Sequence, residues 1–168
     1  NPVRTARSTV GTATEIYDYL RLLFAKIGRI ECPQCGGEVR AYSPTDVLQE
    51  IIERYAGRRA YILAPVAPVD NAPLPLTRLV QQGFFRIKAG DEIFTIPGEL
   101  PADIEERLSA GKGAIVIDRI TLDPSTRGRI ADSLEMAFKQ AGGRVLIEVI
   151  GEGILRFDTG FKCHRCNI

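Results

Sequence analysis

Four cysteines stand in two Cys-x-x-Cys pairs, Cys32/Cys35 and Cys163/Cys166, toward opposite ends of a 168-residue chain. A two-residue gap lets both sulfurs of a pair turn to one point, and two such pairs supply a tetrahedral thiolate set at about 2.3 Å from a metal ion. In the first pair Pro33 restrains the loop, and Gly36 permits the positive φ that turns backbone N–H groups toward sulfur. Residues 36–162 separate the pairs, far more than the roughly 15–20 of a compact zinc ribbon. The intervening segment therefore reads as an insertion whose two necks are pinned by one ion, which absorbs the chain-entropy cost of closing so long a loop. The expected cofactor is one structural Zn2+ on Cys32, Cys35, Cys163 and Cys166.

Other thiol chemistries make different demands. A redox Cys-x-x-Cys belongs between a strand and a thioredoxin-like helix, a context that neither pair has. Disulfides within the pairs would be strained by so short a loop. An iron–sulfur cluster also accepts four thiolates, and the residues alone leave it open. His164, the chain's single histidine, lies inside the second knuckle and reads as a solvent-facing spacer rather than a fifth ligand. Four cysteines leave a zinc ion no open position for catalysis, and a single histidine removes most acid–base and Ser–His schemes. Gly111-Lys112-Gly113 lacks the upstream glycine and the Ser or Thr of a phosphate loop, and it precedes a strand instead of following one. No residue is assigned as catalytic.

Between the knuckles the pattern is α/β (α+β), with several helices and a mixed sheet of about five strands. A helix with capping-box spacing from Thr12 to Glu15 carries an apolar stripe, Ile16, Leu20, Leu23 and Ile27, and Gly28 closes it. A second helix starts near Ser43-Pro44 and runs to about Tyr55. Arg59 to Pro65 reads as a strand, residues 66–75 as a proline-rich loop, and Leu76 to Gln82 as a short helix. Residues 84–88 and 92–96 form a hairpin about Ala89-Gly90-Asp91, Pro101 to Leu108 a helix, and Ala114 to Ile120 a strand. Asp123-Pro124 opens the next helix as cap and first residue, with Ile130, Leu134 and Phe138 on its buried face. Strands at 145–150 and 154–157 complete the set. The expected divisions are 1–40 (helix and first knuckle), 41–160 (inserted α/β domain) and 161–168 (second knuckle).

Twenty-two basic and 21 acidic residues leave a net charge of +1, so no bulk attraction draws the chain to nucleic acid or anionic lipid. No apolar run approaches the roughly 18 residues of a membrane span. The opening Asn1-Pro2-Val3-Arg4 has no leader core and no initiator Met, which reads as a soluble, cytoplasmic piece of a longer protein. Arg4, Arg7, Arg21, Lys26, Arg29, Lys162 and Arg165 gather near the knuckles and give a second reading, a zinc-ribbon nucleic-acid binder, although no aromatic row for stacking bases accompanies them.

Residues 8–28, Ser-Thr-Val-Gly-Thr-Ala-Thr-Glu-Ile-Tyr-Asp-Tyr-Leu-Arg-Leu-Leu-Phe-Ala-Lys-Ile-Gly, closely resemble a stretch of the UvrA family of damage-recognition ATPases in bacterial nucleotide excision repair. Asn1-Pro2 and Arg7 fit the same stretch, with residues 3–6 as an insertion. The likeness continues through residues 63–66, 82–87, 116–119 and 134–137 to the final knuckle, and so spans essentially the whole chain. It implies the insertion that docks UvrB, the helicase-like partner, with zinc at its neck. It also implies partner-facing arginines at Arg86, in Gln-Gly-Phe-Phe-Arg, and at Arg119, in Val-Ile-Asp-Arg. Damaged DNA and ATP with Mg2+ are expected only through the rest of the parent ATPase, whose Walker and signature motifs are absent from these residues. The family's Lys-Gly-Glu-His-like loop has no counterpart here, where Val69-Asp70-Asn71-Ala72 stand instead.

Overall fold

The computed structural model describes residues 16–66, 76–163, 166 and 168. The Thr12–Glu15 capping box, most of the proline-rich loop, His164, Arg4, Arg7 and Arg165 lie outside the described residues. Two compact units emerge, one within residues 1–40 and 162–168, the other within 41–161.

In the first unit, helix α1 (Ile16–Ile27) is followed by strands β1 (Ile30–Glu31) and β2 (Glu38–Val39). The strands pair antiparallel, Ile30 with Val39 and Glu31 with Glu38, so the first cysteine pair sits in the turn of a hairpin. The expected stripe of α1 is helical but uncovered: Ile16, Leu20, Leu23 and Ile27 are all exposed, as are Tyr19, Leu22 and Phe24 on its other sides.

The second unit opens with α2 (Pro44–Tyr55). Its start is over-determined by proline at the first helical position and by a reciprocal cap, in which Ser43 Oγ accepts from the Asp46 N–H at 3.2 Å and the Ser43 N–H donates to Asp46 Oδ2 at 2.8 Å. Then come β3 (Arg59–Pro65), α3 (Leu76–Gln81), β4 (Arg86–Ala89), β5 (Glu92–Thr95), α4 (Ala102–Ser109) and β6 (Gly113–Thr121). Asp123-Pro124 builds a single 3-10 turn (Pro124–Thr126) before the helix proper, α5 (Arg127–Gln140), begins. The Asp123 carboxylate is spent on the Ser125 N–H at 2.8 Å, so the helix starts three residues later than the cap pattern predicts. Strands β7 (Arg144–Val149) and β8 (Gly153–Asp158) follow.

Among the described residues the sheet has six strands in the order β5-β4-β6-β3-β7-β8, where the sequence counts about five. Every pairing in it is antiparallel. The four α-helices described in this unit bury side chains in one apolar cluster: Val47 and Ile51 from α2, Leu79 from α3, Ile104 and Leu108 from α4, Ile130 and Leu134 from α5. The strands contribute alternate residues to that cluster, such as Ala60, Ile62 and Ala64 of β3 and Val145, Ile147 and Val149 of β7. The helices therefore cover one face only, an arrangement that antiparallel sheets tolerate. On the other face a small strip of Leu63, Ala114 and Val116, flanked by Tyr61 and Leu146, is buried although none of the described helices contributes to it.

Two glycines give opposite expectations. A Cβ on Gly113 would collide with Leu108 Cδ2 of α4 and lie 3.1 Å from the Lys88 carbonyl oxygen, whereas a Cβ on Gly128, in the first turn of α5, meets nothing. Gly113→Ala is expected to lower unfolding free energy by about 1–3 kcal/mol. Gly128→Ala should raise it by about 0.4–1 kcal/mol through the unfolded chain. Urea midpoints at constant m-value measure both; equal midpoints for the two variants would contradict the packing at Gly113.

Candidate functional site

The hairpin turn that carries the first cysteine pair is tied by two backbone hydrogen bonds, from the Cys32 N–H to the Gly37 carbonyl and from the Gly36 N–H to the Cys32 carbonyl, both 2.8 Å. Gly36 has φ +67°, a conformation that lets the chain fold back within six residues. At the other end, the Cys163 N–H donates to the Ile168 carbonyl at 2.8 Å. These turns bring Cys35 Sγ to 3.6 Å from Cys163 Sγ, although the two residues are 128 positions apart. The Sγ atoms of Cys32, Cys35, Cys163 and Cys166 all lie within 4.8 Å of one another. Cys32 and Cys163 are buried with Val39 beside them, Cys166 is half-buried and Cys35 exposed.

None of the four cysteines is in a disulfide, and the spacing of their sulfurs fits one ion. Thiolates about 2.3 Å from a tetrahedral centre stand roughly 3.8 Å apart. A multi-iron cluster needs its thiolates spread around bridging sulfides and several irons, for which four sulfurs this close leave no room. Without a cation, the crowding favours the neutral thiol. Hydrogen bonding to Cys35 above all, then burial and the contacts with Cys32 and Cys163, push Cys166 up to about 12. A bound divalent ion reverses that preference, because coordination deprotonates the thiol outright.

The second unit places both arginines singled out by sequence on the uncovered face of the sheet. In β4, Ile87 and Ala89 join the helix-covered cluster, so Arg86 and Lys88 point the opposite way. In β6 the alternation slips. Ala114 and Val116 belong to the uncovered strip, while Ile115 and Ile117 pack toward the helices. Ile62 pairs with Asp118 and Leu63 with Val116, which leaves Ile117 as an extra residue in a β-bulge. After the slip, Asp118 faces α5, Arg119 faces away from it, and Ile120 returns to the core. The Arg119 guanidinium lies 5.5 Å from the ring centre of Tyr61, its cross-strand neighbour, within cation–π range. Arg86 and Arg119 are exposed, and neither has a carboxylate partner among the described residues.

Asp118 and Arg119 do not form the simple surface pair that adjacency suggests. Arg129 of α5 grips the Asp118 carboxylate with two bonds, Nε to Oδ2 at 2.8 Å and Nη2 to Oδ1 at 2.6 Å. Ser133 Oγ donates to Oδ2 at 3.1 Å, and the Arg119 backbone N–H donates to Oδ1 at 2.8 Å. Burial on its own would raise the pKa of Asp118, but the bonds from Arg129, Ser133 and the Arg119 N–H, with the charge of Arg129, outweigh it and hold the carboxyl below its ordinary value.

A second group that the sequence did not reveal is the ion pair of Lys88 with Glu148. Lys88 Nζ donates to Glu148 Oε1 at 2.9 Å and lies 2.8 Å from Oε2, off the hydrogen-bond direction of that buried oxygen. The pair joins β4 to β7 across the two strands between them. Among the described residues no helix is long and apolar enough to cross a membrane.

A family described as the UvrA interaction domain matches residues 43–151. UvrABC system protein A of Bacillus subtilis is 37% identical over 166 residues, covering 97% of this chain and 17% of its own length. The same protein of Clostridium perfringens is 36% identical over 170 residues, with 98% and 18% covered, and that of Aquifex aeolicus 34% over 152 residues, with 89% and 16%. The chain thus spans less than a fifth of the length of these relatives.

Two measurements check the chemistry of the two units. Reduced, freshly purified protein is expected to carry about one divalent ion per chain by elemental analysis, falling well below that in Cys35→Ala. Undiminished metal in the variant would remove the cysteine set as ligands. For Asp118, a carboxyl depressed in the fold stabilises the fold above its unfolded pKa of about 3.9 and loses that contribution as pH falls through the lower, folded value. Asp118→Asn should therefore be less stable at neutral pH, with the gap to the parent protein closing below about pH 4. Urea titrations at successive pH values read this directly; a gap constant down to strongly acidic pH would contradict it.

Proposed function

The chain belongs to the UvrA family, and from that premise we propose that it is the module through which a UvrA-type excision-repair ATPase docks a UvrB-like partner. The observation that carries the reading is the pair of exposed arginines, Arg86 and Arg119, on the sheet face that none of the described helices covers. An arginine fork binds a carboxylate bidentately and is enriched at interface hot spots. Among the described residues neither fork is met by a carboxylate, both stand on strands rather than loops, and Arg119 lies over the ring of Tyr61. That is the preorganisation a docking site for acidic side chains requires. No proton or bond is transferred at this face. Its residues bind and orient.

Zinc is the ion we assign to Cys32, Cys35, Cys163 and Cys166, because four thiolates around one closed tetrahedral position are the set it takes in structural sites. Held there, it supplies a cross-link and leaves nothing open for substrate. ATP with Mg2+ and damaged DNA belong, in this reading, to the remainder of a cytoplasmic parent protein. That remainder also covers the apolar surface of α1, whose exposed Leu20, Leu23 and Phe24 suit a protein neighbour.

Arg86→Ala and Arg119→Ala are each expected to weaken UvrB binding by about 1–3 kcal/mol in calorimetric titrations. Unchanged affinity in both variants would end the assignment of this face. A nucleic-acid role for the basic residues near the knuckles predicts instead a steep salt dependence in gel-shift titrations of this chain with duplex DNA.

A further inference from the structure

We propose that Asp118 is a positioning residue for docking: held by Arg129 and Ser133 of α5, it sets where the β6 bulge falls and thereby which face of the sheet receives Arg119. The inference rests on the docking reading above and adds to it a residue that never touches the partner.

The apolar pattern of β6 calls for a bulge but leaves its place undetermined. Ile115 and Ile117 are two apart and both pack toward the helices, whereas the next residues to do so are Ile120 and Leu122. A strand alternates faces at every step, so a spacing of three between Ile117 and Ile120 demands one extra residue among them. If Asp118 were directed to the uncovered face, Arg119 would be the residue left to turn toward α5. If Asp118 turns to α5, Arg119 goes to the uncovered face. The two placements differ by one residue and bury the same isoleucines, so the hydrophobic core does not choose between them.

Asp118 does. Its carboxylate takes two bonds from Arg129, one from Ser133 and one from the Arg119 N–H. The side chain is only 14% exposed, while that of Arg129 is 63% exposed. Exposed ion pairs contribute little to stability, with bidentate geometry as the exception. A modest preference suffices here, because the competing placement would also put the Arg119 guanidinium beside Arg129. The engaged carboxylate is likewise withheld from Arg119, whose charge stays available at the surface over Tyr61.

The test is a set of double-mutant cycles read as affinity for UvrB. Asp118→Asn keeps the size of the side chain and removes its charge. It is expected to weaken binding on the order of tenfold, to cause no further loss in the Arg119→Ala background, and to multiply with Arg86→Ala. A purely structural role would lower affinity to the same degree in all three backgrounds. Should Asp118→Asn fail to fold, Arg129→Lys, which keeps the cation and loses the fork, is carried through the same cycle with the same expectation. If Arg119→Ala weakens binding while Asp118→Asn and Arg129→Lys bind as the parent protein does, the positioning role is overturned and docking stands. If Arg119→Ala itself has no effect, the docking reading falls first.

Discussion

A β-strand hands alternate residues to opposite faces, and in the larger unit the described helices cover one face of the sheet. Every helix of that unit feeds the same apolar cluster, with Ile51, Leu108, Ile130 and Leu134 meeting Ile62, Ile87 and Ile147. What the domain offers to a partner is therefore decided by parity, strand by strand. In β4 the parity is regular and places Arg86 outward with Lys88. In β6 it is broken once, and the break converts Arg119 from an inward position, where a guanidinium would need full pairing, into an outward one. The bulge is a local feature with a consequence for the whole face, because it sets which cations stand on it.

The cysteine centre solves a separate problem. Loop closure costs grow only logarithmically with length, but the two strands of a neck must still be held where the loop begins and ends. A short hydrogen-bonded turn at Cys32–Gly37 and the backbone bond from Cys163 to Ile168 hold the two ends that carry the sulfurs, and Val39 packs beside the buried Cys32 and Cys163. The turns are small, with few apolar contacts of their own. In metal-binding modules with so small a core, folding and metal binding are coupled.

How much of this was readable beforehand depends on the range of the interaction. The start of α2 was legible at Ser43-Pro44, because caps and first-turn prolines act over three or four residues. The strand at Arg59–Pro65 announced itself as a short apolar run closed by proline. The clustering of the four cysteines was legible across 128 positions only because Cys-x-x-Cys pairs have few other uses. The start of α5 was misplaced, since Asp123-Pro124 serves a 3-10 turn equally well. The face of Arg119 was not read, though a signal existed in the jump from Ile117 to Ile120, an interval that no unbroken strand with one buried face produces. The partners Arg129 of Asp118 and Glu148 of Lys88 had no local signal at all. One lies 11 positions on, in the next helix, and the other 60 positions on, with two strands of the sheet in between.

The Lys88–Glu148 pair completes the logic of a bare sheet face. Leu63, Ala114 and Val116 would form an exposed apolar strip in the middle of the sheet, which invites indiscriminate association. Instead they are buried although none of the described helices contributes to the strip, and the long side chains of Lys88 and Glu148 meet from strands on either side of them. Aliphatic stems can cover apolar surface while their charged ends remain paired. Such a pair adds little net stability, because taking two charges out of water offsets most of their attraction. Its contribution is to the character of the surface. With the apolar strip buried and Lys88 and Glu148 paired with each other, Arg86 and Arg119 stand on the face without a carboxylate partner among the described residues, and in the proposed docking reading it is these two that a partner's carboxylates meet.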